Sequence, residues 1–290
     1  MSSIDYTALG RPIRGPRALT DDWSRFWHLT YNIARNEFKL KFFGSVLGYV
    51  WQLMRPLLLF GVLYVFFTKV AQVNRAHTPG NAHYGAQLLG SIVLFTFFTE
   101  ATSGAVRSVV DRENLVRKIQ FPRMVIPLSV VLVASFNLAL NLLVVLGFAL
   151  AEGVHPMLSW LELPLIIVML MVLATGLAML LSALFVSLRD IQPIWDVASQ
   201  VLFYSSPVII SVETVREKTS TTVLHLYMLN PLAVIFQQFR HAMITSSTLS
   251  AGQALGGWSS LVAPLAIVAG LFALGFWVFN RSAPLVAENL

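Results

Sequence analysis

Glu100 is the side chain best placed for acid–base chemistry, because it is a carboxylate inside a long apolar run. It lies in the segment Thr99-Glu-Ala-Thr-Ser-Gly104, and carboxylates inside membrane spans are costly and often functional. It also lies within two turns of the end of that run at Val106, where water can reach it. The sequence therefore leaves two interpretations, an acid or base of a membrane-embedded enzyme and a solvated carboxylate near the membrane surface.

Residue types that would hold a metal or a nucleotide do not occur in the required spacing. The chain has no cysteine, which removes thiolate ligands, disulfides and thiol nucleophiles. His77 and His83 share a short polar segment without a carboxylate beside them, which predicts surface histidines rather than a metal site. No phosphate-binding loop, dinucleotide fingerprint, zinc-protease motif or serine-hydrolase motif is present. We predict that this chain has no catalytic residue, metal or cofactor of its own.

The densest charge lies in residues 107–127, between two apolar runs, and we call this segment the elbow. Basic residues beside membrane spans favour the cytoplasmic side, and Phe121-Pro122 should end a short helix there. The elbow either only orients the neighbouring spans or acts as a lever on which a cytoplasmic partner pushes. Its basic residues are Arg107, Arg112, Arg117, Lys118 and Arg123, and its acidic residues are Asp111 and Glu113.

Composition places these residues in a membrane. The 290 residues are 56% hydrophobic and 12% charged, whereas a soluble domain carries about 25% charged residues. The apolar runs are long rather than alternating, which predicts an all-α integral membrane protein. The basic residues behind the net charge of +6 lie beside the spans, so they do not indicate nucleic-acid binding.

Six apolar segments are candidates for crossing the bilayer, which takes about 20 residues. Pro207 should kink or end the fifth of them. Most basic residues lie in the tails and in the loops that six spans place on the same side as the tails, which predicts cytoplasmic termini. The predicted spans are residues 49–67, 86–106, 124–151, 162–187, 193–210 and 258–279.

Two predicted helices do not cross the membrane. After a cytoplasmic tail at residues 1–19, residues 20–44 carry aromatic side chains at three- and four-residue spacing, with basic residues on other faces. This pattern favours an amphipathic helix in the membrane interface over one packed on a soluble partner. The helix at residues 231–244, with Asn230 as N-cap and Pro231 as first residue, is too short to span and should be re-entrant or interfacial. Residues 45–290 then form one transmembrane domain.

Polar and small side chains inside the spans predict helix packing. Asn137 and Asn141 are one turn apart on a face of the third span, and such amides usually tie helices together. The fourth span carries Gly176, Ala178 and Ser182, which allow a close approach of another helix.

Four stretches, in the same order, resemble the transmembrane permeases of type-2 ABC transporters that export polysaccharides. The first, residues 36–56, resembles their entry into the first span, and residues 113–128 resemble their coupling segment. Together with the predicted topology, the resemblance covers almost the whole chain. The other two are Arg189-Asp-Ile with Ser206-Pro207, like their fifth-span region, and Asn230-Pro231 with Phe239-Arg240, like the segment before their last span.

The resemblance implies an exporter in the bacterial inner membrane for lipid-linked O-antigen, capsule, teichoic acid or galactan, with details closest to actinobacterial galactan exporters. It implies a homodimer with two copies of a separate ABC ATPase subunit, which binds ATP and magnesium. It also implies that the elbow couples to the ATPase and that residues 231–244 form a gate. The corresponding residues are Asp111, Arg112, Glu113, Arg117 and Lys118 for coupling, and Pro231, Phe236, Phe239 and Arg240 for the gate.

A substrate of this class is a polysaccharide on a polyprenyl diphosphate carrier. Basic side chains near the first span would pair with the diphosphate, because charge-assisted contacts to phosphate are strong. Aromatic rings would stack on the apolar faces of sugars along a channel. The candidates are Arg25, Arg35, Lys39, Lys41 and Arg55 where the lipid diphosphate enters, and Trp51, Tyr64, Phe98 and Tyr204 along the channel.

Two other functions fit the same composition. A membrane-embedded transferase acting on lipid-linked sugars would use Glu100, and Glu100→Gln would then abolish catalysis while only trimming export by a permease. The second alternative is an exporter of small amphiphiles, such as drugs, from the same superfamily. In the sequence, only the resemblance of the four stretches to polysaccharide exporters separates the two kinds of substrate.

Overall fold

The computed structural model describes residues 23–42, 46–70, 83–113, 122–244 and 248–282, and all regular structure in these ranges is helical. The α-helices are α1 (Trp23–Phe42), α2 (Val46–Val65), α3 (Tyr84–Val106), α4 (Ser108–Asp111), α5 (Val125–Ala151), α6 (Leu163–Ser187), α7 (Ile191–Tyr204), α8 (Val212–Lys218), α9 (Thr221–Met228), α10 (Pro231–Met243), α11 (Ala251–Ala254) and α12 (Val262–Ser282). A π-helical segment, Phe66–Val70, extends α2, and 3-10 turns, Leu158–Glu162 and Trp258–Leu261, precede α6 and α12.

Among the described residues, five helical segments are long and apolar enough to cross a membrane. They agree with the predicted first, second, third, fourth and sixth spans, so an all-α membrane protein is confirmed. The segments are Val50–Val70, Tyr84–Val106, Val125–Ala151, Leu158–Ser187 and Trp258–Ser282.

The predicted fifth span is not a full-length helix. Helix α7 has 14 residues, about 21 Å at 1.5 Å per residue, while the hydrocarbon core of a bilayer is about 30 Å thick. The chain leaves the helix at Tyr204 and turns before Pro207, which is the break that Pro207 predicts. A topology of six spans with both termini in the cytoplasm therefore stays a prediction, and the terminal segments lie outside the described residues.

Helix α3 is the centre of the bundle. It packs against α2, α5, α6, α7 and α10, and 72% of its apolar window is buried, compared with 11% for α2. A helix that is apolar on all faces is typically buried by neighbouring helices on every side. The first span is thus the most weakly packed of the long helices, and much of its surface is free for lipid, substrate or a second subunit.

Helices α6 and α12 approach each other at two glycines. A Cβ atom on Gly176 would lie 2.6 Å from the Cα atom of Phe272, and one on Gly275 would lie 2.0 Å from the carbonyl oxygen of Gly176. The sequence prediction that Gly176 permits close packing is confirmed, because these backbones touch without intervening side chains.

Candidate functional site

Within the amphipathic helix predicted at residues 20–44, residues 23–42 form α1, which lies along α5; the ends of the predicted helix lie outside the described residues. Phe26, Thr30 and Ala34 are buried on one face of α1, and Phe26 belongs to an apolar cluster with Met124 and the elbow residue Val109. The exposed face retains large aromatic side chains, with Trp23 62% exposed. Exposed tryptophans of this kind suit the headgroup region of a membrane, as the sequence predicts.

A polar cluster joins α1, α2, α3 and α5 around Glu100. Lys41 Nζ and Asn137 Nδ2 each donate to Glu100 Oε1 at 2.7 Å, and Gln52 Nε2 donates to Oε2 at 3.2 Å. The prediction that Asn137 ties helices together is confirmed, but Asn141 Nδ2 bonds to the carbonyl of Asn137 in its own helix. Both carboxylate oxygens of Glu100 are engaged, so it resembles a structural ion-pair partner more than a free acid or base.

The elbow contacts α1 through a second ion pair. The guanidinium of Arg112 bonds to the carboxylate of Glu37, and both side chains are partly buried. Arg112 therefore makes an intramolecular contact in this structure, whereas Asp111 is exposed. Of the other predicted coupling residues, Glu113 is half-buried, and Arg117 and Lys118 lie outside the described residues.

The last charged residue of the elbow is a buried cation, Arg123, which is 2% exposed. Two of its guanidinium nitrogens, Nε and Nη1, have no hydrogen-bond partner among the described residues. Burial lowers the pKa of Arg123 from its ordinary value, but an arginine stays protonated. The side chain therefore places a fixed positive charge where the elbow enters α5.

The predicted lipid-diphosphate residues do not behave as one group. Arg25, Arg35 and Lys39 are exposed on α1, and Arg55 is exposed on α2. Lys41, by contrast, is held by Glu100. The sequence could not reveal this pairing, because the two residues are 59 positions apart.

The four aromatic residues predicted to line the channel differ in their exposure. Trp51 and Tyr204 are 60% and 76% exposed, and Tyr64 is half-buried beside Tyr84, with 6.5 Å between ring centroids. Phe98 has no exposed surface, because it lies between Phe95 and Trp195 in the core. It therefore offers no surface to a sugar in this structure.

A groove of about 380 Å³ lies between α2, α3 and α7. Hydroxyl, amide and aromatic groups line it, and these groups offer hydrogen-bond donors, hydrogen-bond acceptors and apolar ring faces. The hydroxyls of Thr96, Thr99 and Ser199 donate to backbone carbonyls of their own helices, which leaves their lone pairs free to accept. The lining residues are Leu59, Ile92, Phe95, Thr96, Thr99, Ser199, Gln200, Phe203 and Tyr204. The sequence predicted only Tyr204 among them, since hydroxyl residues in an apolar helix give no signal of the face they occupy.

The predicted gate helix is α10, and its start is as predicted. Asn230 Oδ1 accepts a hydrogen bond from Leu232 N at 3.0 Å, and Pro231 is the first helical residue. Asn230 Nδ2 reaches back to Ser206 Oγ at 3.0 Å, so two of the stretches that carry the family resemblance meet in space. Phe236 and Phe239 are buried inside the bundle, so α10 is a packed helix rather than a surface one.

Arg240 is the most buried charge of α10. It is 1% exposed, its Nε donates to Ser91 Oγ at 3.3 Å, and its Nη2 donates to the carbonyl of Val208 at 3.0 Å. Burial lowers the pKa of Arg240, while Glu213 acts in the opposite direction. The side chain thus links α10 to α3 and to the turn that follows α7.

The described residues do not meet the requirements of a metal site. No group of three or more His, Asp or Glu side chains that could hold a metal occurs within the described ranges. Together these features define a multi-pass helical membrane body whose polar features include a groove of about 380 Å³ and two ion pairs made by α1.

Comparison with known proteins shows the family to which this membrane protein belongs. The family model for the ABC-2 type transporter matches residues 28–244, so the chain belongs to that family and is a multi-pass protein of the bacterial inner membrane. It is 27% identical over 209 residues to the O-antigen export system permease protein RfbA of Klebsiella pneumoniae, covering 72% of this chain and 77% of the relative. It is 25% identical over 212 residues to the protein of the same name from Myxococcus xanthus, covering 73% and 78%.

Proposed function

We propose that this chain is the transmembrane subunit of an ATP-driven exporter that moves a polyprenyl-diphosphate-linked polysaccharide out of the cytoplasm. The observation that carries the proposal is the ABC-2 match over residues 28–244, together with two relatives named as O-antigen export permeases. The groove between α2, α3 and α7 supports a sugar-containing substrate, because its lining combines aromatic rings with free hydrogen-bond acceptors.

The energy for transport comes from a partner. The sequence has no nucleotide-binding motif, so ATP and magnesium are bound by a separate ABC ATPase subunit, in two copies against a permease homodimer. The elbow and α1 form the contact surface for the ATPase. Arg25, Arg35, Lys39 and Arg55 receive the diphosphate, since they are exposed on α1 and α2.

The test of this assignment is co-purification with a co-expressed ABC ATPase subunit, followed by an ATP hydrolysis assay. Arg117→Glu with Lys118→Glu should weaken the complex by at least about tenfold, because reversing two charges replaces attraction by repulsion at the contact. The matched control is Arg216→Glu with Lys218→Glu, an exposed basic pair at the end of α8.

The outcomes separate the competing functions. A wild-type chain that binds no ATPase in detergent or lipid contradicts the exporter assignment and leaves the embedded transferase to be tested. An active complex whose depletion leaves surface glycan normal but makes cells drug-sensitive contradicts the polysaccharide substrate and favours small amphiphiles. Glycan that accumulates in the cytoplasm on depletion supports the proposal.

The groove makes a separate prediction about the substrate. Tyr204→Ala should reduce polysaccharide export by about threefold to tenfold, since a single aromatic contact contributes on the order of 1 kcal/mol. ATP hydrolysis by the complex should be retained, because Tyr204 is exposed and removing it disturbs little packing. Export of labelled glycan into inverted vesicles measures the effect. Trp277→Ala is the control, as Trp277 is another exposed aromatic, on α12 and outside the groove; equal losses in both variants would exclude a specific role for the groove.

A further inference from the structure

Two ion pairs of opposite polarity hold α1 on the body of the protein. Glu37 of α1 bonds to the cation of Arg112 in the elbow, and one turn later Lys41 of α1 bonds to the anion of Glu100 in α3. Residues four apart lie on the same face of a helix. A shift of α1 by one turn in one direction would bring Lys41 toward Arg112, and a shift in the other direction would bring Glu37 toward Glu100, so like charges would oppose either wrong register.

Glu100 also reaches the first span. Gln52 of α2 donates to Glu100 Oε2, while Lys41 and Asn137 occupy Oε1. Among the long helices described, α2 has the least buried apolar window, at 11%. Because α2 has so little other packing, the hydrogen bond from Gln52 to Glu100 should contribute a large share of what holds α2 in place. Helices α1 and α2 both touch Glu100, and α2 also contributes Leu59 to the groove.

We infer that Glu100 is a positioning residue for transport, which ties α1 to α2 so that displacement of α1 and the elbow moves the wall of the groove. The inference rests on the proposed function for its energy source. The contacts connect the moving parts in sequence. Arg112 of the elbow binds Glu37 of α1, Lys41 of α1 binds Glu100, and Glu100 accepts a hydrogen bond from Gln52 of α2. A displacement of the elbow is thereby transmitted through α1 and Glu100 to α2. Without Glu100, α1 and α2 stay joined through residues 43–45 of the chain, but α2 loses its polar contact to the carboxylate that binds Lys41. Displacement of α1 and the elbow then moves the wall of the groove less.

The first experiment measures how far Glu100 stabilises α1 and α2 in the permease alone, and therefore does not depend on the ATPase. Glu100→Gln in lipid nanodiscs is compared with the wild-type chain by hydrogen–deuterium exchange. Exchange should accelerate by at least about fivefold in the C-terminal half of α1 and the N-terminal half of α2, because a lost charged hydrogen bond eases local opening. Exchange in α6 should not change. The control is Glu162→Gln, since Glu162 also accepts from a glutamine amide, Gln238, at 2.6 Å and lies far along the chain from α1.

The second experiment measures coupling in the complex with the ATPase. Glu100→Gln should keep ATP hydrolysis within about twofold of the wild-type rate, while the glycan exported per ATP falls by at least about tenfold. This loss is larger than the slight reduction in export that the sequence alone predicts for a permease, because the structure shows Glu100 bound to Lys41, Gln52 and Asn137. A purely structural role would lower hydrolysis and export together. The charge swap Lys41→Glu with Glu100→Lys should restore the ratio. The site can accept the swap because Asn137 Oδ1 is buried without a hydrogen-bond partner among the described residues and can accept a hydrogen bond from the lysine ammonium.

The two experiments separate the inference from the proposed function. Unchanged exchange in Glu100→Gln, or equal acceleration in Glu162→Gln, overturns the tie whatever the ATPase does. Accelerated exchange in a chain that binds no ATPase upholds the tie and contradicts the exporter assignment. Proportional loss of hydrolysis and export in a functioning complex, without rescue by the charge swap, also overturns the inference.

Discussion

Gly275→Ala should destabilise the chain by at least about 2 kcal/mol, although the change adds a single methyl group. The added Cβ would stand 2.0 Å from the carbonyl oxygen of Gly176 and 2.9 Å from its carbonyl carbon. Both obstructing atoms belong to the backbone, so no rotamer change relieves the overlap, and α12 must move away from α6. Overpacking of this kind costs about 1–3 kcal/mol even where side chains can adjust. The loss should appear as a lower midpoint of thermal unfolding in detergent.

The same helix supplies a matched control. No atom of the described residues lies within 4 Å of the position that the Cβ of Gly270 in α12 would occupy. Gly270→Ala should be neutral or stabilising by up to about 1 kcal/mol, since alanine favours the helix over glycine. Equal unfolding midpoints for the two variants would show that α12 does not rest on α6 through Gly275. The effect should be large because α12 packs mainly on α6 and only 17% of the apolar window of this segment is buried, so displacement from α6 removes most of its packing.

Local sequence patterns predicted the parts of the fold that depend on local physics. The aromatic spacing predicted α1, and Asn230-Pro231 predicted the start of α10, because capping and amphipathicity involve residues within one or two turns. Gly176 was predicted as a packing residue because only small side chains let helices approach closely. The partner glycine, Gly275, was not predicted, since many glycines occur in spans and the contact is distant in sequence.

Contacts between distant segments could not be predicted. Glu100 gave a clear signal as a costly carboxylate, but nothing in the sequence specified Lys41 or Gln52 as its partners. The length of α7 was overestimated for a related reason, since the apolar run continues past Tyr204 while the turn before Pro207 interrupts the helix. In a membrane span every face is apolar, so periodicity could not show that Phe98 is buried and Tyr204 exposed.

Arg240→Met should reduce export by about tenfold while changing the free energy of unfolding by less than about 1 kcal/mol. Methionine fills much of the same volume, and the loss of two hydrogen bonds is offset by removing a buried charge that forms no ion pair among the described residues. Arg240→Ala should instead cost about 3 kcal/mol, because it leaves a cavity in the core. Thermal unfolding and vesicle export of the two variants, with the exposed Arg216→Met as control, measure these differences.

The expected loss of export follows from what Arg240 connects. Its guanidinium bridges α10 to Ser91 of α3 and to Val208 in the turn after α7, and α3 and α7 are two of the three walls of the groove. Asn230 makes a second link from α10 to that turn, through Ser206. If α10 gates the outer end of the pathway, Arg240 makes the gate and the groove respond together. Arg240→Met should therefore preserve the folded bundle and disconnect these movements, and normal export by this variant would show that α10 gates, if at all, without Arg240.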